Sequence, residues 1–132
     1  MVKVEYFAEG AQDCPLLLIY GDGLVNVLAL SLAFKRVATG LADYVDVQNI
    51  ANFHAVNGCQ LRLQLSQRAR SGVQLTEENC FVWHLTAEEC HDVIGLLEPF
   101  SKRNDHDADK QRHQILEGNG AIKVIFSTKR RW

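Results

Sequence analysis

The chain lacks most features that mark specialised classes of protein. Of its 132 residues only two are proline, Pro15 and Pro99, and one is methionine, so it is not a proline-rich or low-complexity segment. Its four cysteines, Cys14, Cys59, Cys80 and Cys90, form no CxxC pair, and the spacing of zinc ribbons and dithiol redox sites is missing. It has no basic excess. The formal net charge is −2, whereas proteins that bind a phosphate backbone usually carry surplus positive charge; nucleic acid is therefore disfavoured as a partner. The most apolar stretch, 24–34, is interrupted by Asn26 and Ser31 and falls well short of the ~20 residues of a membrane span. Met1-Val2-Lys3-Val4-Glu5 reads as a strand rather than a leader. The expectation is a cytoplasmic chain, without membrane attachment, whose thiols stay reduced and act as small buried hydrophobes.

What is present is ordinary globular composition. Apolar residues make up 47 % and charged residues 23 %, enough to bury a core without metals or disulfides. The length suits one domain over 1–132, with a polar loop at 101–112 and a basic tail at 129–132. There is no internal repeat.

Periodicity supplies the elements. Val2, Val4 and Tyr6 alternate with Lys3, Glu5 and Phe7, which predicts a strand. The run Leu16–Tyr20 does not alternate and reads as a strand buried on both faces. A helix is expected over Leu24–Ala38, with Asp22 as N-cap, Lys35 and Arg36 at its C-terminal end, and Gly40 as its stop. A short strand at 44–47 precedes a loop at 48–58. Leu61, Leu63 and Leu65 alternate with Arg62, Gln64 and Ser66, the pattern of a strand with one wet face. Strands follow at 73–75 and Cys80–Leu85, either separate or one strand with an irregularity at Glu77-Glu78. Thr86-Ala87-Glu88-Glu89 is a capping box opening a second helix with the stripe Cys90, Val93, Ile94, Leu97 and Phe100, and Pro99 is a place for it to end or kink. A hairpin over 113–117 and 121–127 turns at Gly118-Asn119-Gly120. The expected fold is α+β: a single two-layer domain with a mostly antiparallel sheet of about five to seven strands packed by two helices, in the order ββα–β–βββ–α–ββ.

Motifs for chemistry are weak. Gly21-Asp22-Gly23 lies between a strand and a helix, but no third glycine or Walker lysine follows, and a turn explains it. Cys80 and His84 are four apart on a strand, ~13 Å, too far to share one zinc. Cys90 lies on an apolar stripe and His91 points away from it. Asp105, Asp107 and Asp109 begin like a calcium loop, but Lys110 and Leu116 stand where glycine and glutamate are required. Asp13 beside Cys14 raises rather than lowers a thiol pKa. No cofactor and no metal is expected.

Three functional readings remain, in this order. The first is a non-catalytic interaction protein. The helix over Leu24–Ala38 has one apolar stripe of Val27, Leu30, Phe34 and Val37 and a second of Leu24, Leu28 and Leu32, with Lys35 at the end of the latter. A helix apolar nearly all round must be covered nearly all round, by the 48–58 loop, by a second copy or by a protein partner. The second reading is a small enzyme with a site assembled from His54, His84, Cys14 and Asp46. The third is a polyanion binder using Arg62, Arg68, Arg70, Arg130 and Arg131, with Tyr44, Phe53 and Trp132 as stacking surfaces.

Overall fold

The computed structural model describes residues 1–67, 72–101 and 113–132. The alternating N-terminal segment is strand β1 (Val2–Phe7), with both valines buried. The continuous apolar run is β2 (Leu16–Tyr20), buried at every position and paired antiparallel with β1, Lys3 opposite Tyr20 and Phe7 opposite Leu16. Helix α1 (Leu24–Ala38) is followed by three strands, β3 (Tyr44–Asp46), β4 (Phe53–Ala55) and β5 (Gln60–Leu65). β6 (Gly72–Glu77) and β7 (Cys80–Leu85) form a hairpin with a bulge between Leu75 and Glu77. Helix α2 (Ala87–Ser101) precedes the antiparallel pair β8 (His113–Glu117) and β9 (Lys123–Ser127).

Among the described residues the fold is α+β with two α-helices, and the strands divide into two mixed sheets rather than one. Their orders are β4-β1-β2-β9-β8 and β3-β5-β7-β6. Among the described residues four strand pairings are antiparallel and three, β1–β4, β2–β9 and β5–β7, are parallel. Periodicity reports how much of a strand is buried. It carries no signal for which distant strand lies alongside.

Both sheets turn one face to a shared core, where Val4, Leu17, Ile19 and Phe126 of the first meet Leu61, Leu63, Phe81 and Trp83 of the second. Tyr6 packs on Phe81 across the sheets at 4.6 Å, Phe34 of α1 meets Trp83 edge-on at 5.4 Å, and Phe100 of α2 meets Phe126 at 4.9 Å. β2 is apolar on both sides because its other face is also covered. Leu16, Leu18, Tyr20 and Ile125 form a smaller cluster under Phe7, Cys14 and Trp132.

The helix ends separate what local sequence decides from what it does not. The capping box of α2 forms in full: the Thr86 N–H donates to Glu89 Oε1 at 2.9 Å, and the Glu89 N–H to Thr86 Oγ1 at 3.1 Å. Pro99 neither ends the helix nor is followed by a break before Ser101. Gly40 follows the C-cap Thr39 with φ +79°, as a helix stop requires. The N-cap of α1 is Gly23 rather than Asp22, and no side chain caps it. The Asp22 carboxylate instead accepts from the Gly23 N–H one residue away, at 2.8 Å. The segment 48–58 is also not all loop. It holds β4, three residues that pair in parallel with β1, Val2 opposite Phe53. A strand this short shows no alternation to read.

Candidate functional site

α1 divides its apolar residues between two opposite faces. At about 100° per residue, Val27, Leu30, Ala33, Phe34 and Val37 point to one side and are buried. Leu24, Val25, Leu28 and Leu32 point roughly the other way. They are 53, 74, 51 and 54 % exposed. Fully burying a leucine or valine side chain is worth about 1.5–3 kcal/mol, so three leucines and a valine left at least half exposed on one helix face represent driving force that the fold does not use. The 48–58 segment does not cover them; it runs alongside.

Beside Leu32 that segment and β3 complete a groove of about 440 Å³. Ala29, Leu32 and Ala33 form its helix wall, Val45 and Ile50 the opposite one, and Tyr44, Asp46 and Arg36 stand around it. The small side chains at 29 and 33 make the depression. Lys35 is exposed on the same face as Leu24 and Leu28, one residue from the exposed Arg36. The ridge is therefore apolar along most of its length and positive at the C-terminal end of the helix.

Two of the five arginines of the polyanion reading are committed to carboxylates. Arg62 grips Asp46 with two hydrogen bonds, Nε to Oδ1 at 2.8 Å and Nη2 to Oδ2 at 3.2 Å. It also lies 3.8 Å over the Tyr44 ring, and its pKa is raised, chiefly by the bonds to Asp46. Arg130 holds Glu5 the same way, at 3.0 and 2.9 Å, across 125 positions of sequence. Arg131 is exposed. Arg68 and Arg70 lie outside the described residues.

The Glu5 contact was not legible in the sequence, and it fastens the C-terminal segment over the second cluster. Glu5 is buried, accepts a third bond from the Tyr20 hydroxyl at 2.8 Å, and is flanked by Phe7 stacked on Trp132 at 5.1 Å. The one hint was β2 itself, whose outer face needed a cover. The Arg130 guanidinium holds the Glu5 carboxyl below its ordinary value despite burial, while burial and then the bond to Glu5 push the Tyr20 phenol up. A depressed carboxylate pKa gives stability that is full above the unfolded value near 4.3 and fades as pH falls below it. Glu5→Gln is expected to cost about 1 kcal/mol at pH 7, a modest figure because the Arg130 side chain is 60 % exposed and solvent screens it. The cost should shrink as pH falls below the unfolded value and through the lowered folded pKa. Urea titrations across this range measure it, and a loss that does not change with pH would contradict an ionic origin.

The candidate catalytic residues are scattered. His54 is exposed on edge strand β4, Cys14 is half-buried against the outer cluster, His84 sits on β7 opposite Gln64, and Asp46 is held by Arg62. Among the described residues no hydrogen bond or ion pair joins any two of these four. Burial pushes the Cys59 thiol up to about 12 and the Cys90 thiol up to about 11, the direction that suppresses thiolate chemistry. Among the described residues no three histidine, cysteine or acidic side chains are grouped to hold a metal ion. The Asp105–Asp109 run lies outside the described residues. Among the described residues no helix is long and apolar enough to cross a membrane.

No protein-family model, no curated protein and no solved structure matches the chain. The outward ridge of α1 and its groove are an apolar feature that the fold leaves uncovered.

Proposed function

We propose that this chain is a non-catalytic interaction domain that docks a protein partner through the outward face of α1. One observation carries the reading: Leu24, Val25, Leu28 and Leu32 stand more than half exposed in a continuous stripe, on the order of 400 Å² of apolar surface, within the range of the largest patch on a monomer, which is often functional. The polyanion reading has less support, because Arg62 and Arg130 are paired with Asp46 and Glu5 and the net charge is negative. The enzyme reading has less support, because among the described residues no hydrogen bond or ion pair joins any two of Cys14, His54, His84 and Asp46. A reducing compartment such as the cytoplasm suits the buried Cys59 and Cys90 thiols.

A benzophenone side chain placed at position 28 in living cells is expected to give a discrete photo-adduct. Changing Leu24 and Leu32 to Asp should remove it, since burying unpaired carboxylates in an apolar interface weakens binding by more than about 100-fold. At a concentration where both chains are monomeric, the purified Leu28→Asp chain should unfold within about 0.5 kcal/mol of the parent, as surface substitutions do. The absence of an adduct would end the proposal, and a large loss of stability would place these leucines in the service of the fold.

A further inference from the structure

We infer that the partner is a second copy of this chain, packed α1 against α1 in an antiparallel pair about a two-fold axis at Leu28. This rests on the interaction reading of the same face and names its occupant.

The spacing of the ridge is self-complementary. Leu24 and Leu32 lie four residues either side of Leu28, so a two-fold at Leu28 sets that residue against its own copy and brings each Leu24 to the Leu32 of the other chain. An isologous interface requires this property, and a surface shaped for a foreign partner has no need of it. The groove lies where the operation calls for a cavity. It opens beside Leu32, walled by Ala29 and Ala33, and the two-fold delivers the other copy's Leu24 and Val25 to its mouth. One groove on each chain is filled by the exposed N-terminal end of the other helix.

Charge selects the direction. Lys35 and Arg36 end the helix, and Asp22 precedes it. Antiparallel pairing places the cations of one copy near the Asp22 of the other and opposes the two helix dipoles. Parallel pairing would bring four cations together, which is destabilising. The area also suffices. Two ridges bury on the order of 800 Å² of apolar surface, the core of a standard interface of ~1,600 Å², along a 15-residue helix that is ~22 Å long.

Cysteine cross-linking of the full chain tests the register. A disulfide needs Cβ atoms within ~4.5 Å, whereas eight residues of helix span ~12 Å. Leu28→Cys alone should form a covalent dimer on mild oxidation. Leu24→Cys and Leu32→Cys should each fail alone and succeed when mixed, with at least ~10-fold more product than either alone, against the parent chain as control for its own cysteines. Self-linking of Leu24→Cys or Leu32→Cys at the efficiency of Leu28→Cys would overturn the antiparallel register. A 14.9 kDa species in light scattering at about 100 µM, far above a micromolar Kd, would overturn the second copy. The photo-adduct at position 28 separates the two levels. Twice the chain mass supports the dimer, and a discrete adduct of another mass overturns the dimer but leaves the docking face standing. With no adduct both fall.

Discussion

Trp83→Ala is expected to remove about 3–5 kcal/mol of stability, the cost of deleting a large aromatic from a packed core. Trp83 is fully buried on β7, between β5 and β6. It joins three elements at once: its ring receives Phe34 of α1 edge-on, and its indole N–H donates to Glu117 Oε1 of β8 at 3.4 Å. Truncation leaves a cavity that strands on either side and a helix above would have to close, and it deprives Glu117 of a donor. A domain of this size is stable by only about 5–15 kcal/mol, so the loss should lower Tm by about 10–20 °C. Calorimetry measures it. Trp83→Phe keeps most of the volume and the Phe34 contact, and should cost less than half as much. Because the chain has only two tryptophans, that variant leaves Trp132 as the sole tryptophan, whose emission reports the C-terminal cover over β2. A Trp83→Ala chain within about 1 kcal/mol of the parent would mean that the two sheets and α1 do not meet at this residue.

Gly21→Ala should cost about 2–3 kcal/mol, toward the upper end of the overpacking range. Gly21 ends β2 where the start of β1 crosses close to it, and its N–H donates to the Ser127 carbonyl of β9 at 3.0 Å. An added Cβ would lie 2.7 Å from the Met1 carbonyl oxygen and 2.8 Å from Val2 Cα. Both are backbone atoms, and neither can rotate aside as a side chain would. The strain should appear where β1, β2 and β9 meet. Hydrogen exchange at Lys3, Tyr20 and Gly21 is therefore expected to accelerate more than at the distant β5–β7 pair. Uniform acceleration would instead indicate a global loss without local displacement. The clash, rather than turn chemistry, is what glycine at this position avoids; in the sequence it had been one member of a Gly-Asp-Gly turn.

The outward apolar face of α1, proposed above as a docking face, was half visible from the chain alone. Counting at 100° per residue separates Leu24, Leu28 and Leu32 from Val27, Leu30, Phe34 and Val37, because helical geometry is local. That the first set is the exposed one depends on where β5, β7 and α2 lie, and that a groove opens beside Leu32 depends on the path of 48–58. Neither follows from any window of sequence. The same division explains the arginines. Arg62 reads correctly as a residue on the wetter face of its strand, but its partner Asp46 is supplied by the antiparallel β3–β5 pairing, and Arg130 finds Glu5 only once the C-terminal segment has crossed the first sheet.

By itself the sequence determined the elements and their faces: the capping box at Thr86 and Glu89, the alternation in β1 and β5, the twofold burial of β2, the Gly40 stop and the α+β class. These depend on interactions among residues a few positions apart, where backbone geometry dictates which side chains share a face. Only the tertiary structure decided that the strands form two mixed sheets, that three residues at Phe53–Ala55 pair with β1, that Gly23 caps α1, and that the outward leucines of α1 stay in water. Those outcomes come from contacts between distant segments competing for one core. Burial of one face of α1 against α2 and the second sheet satisfies that competition and leaves its other face exposed.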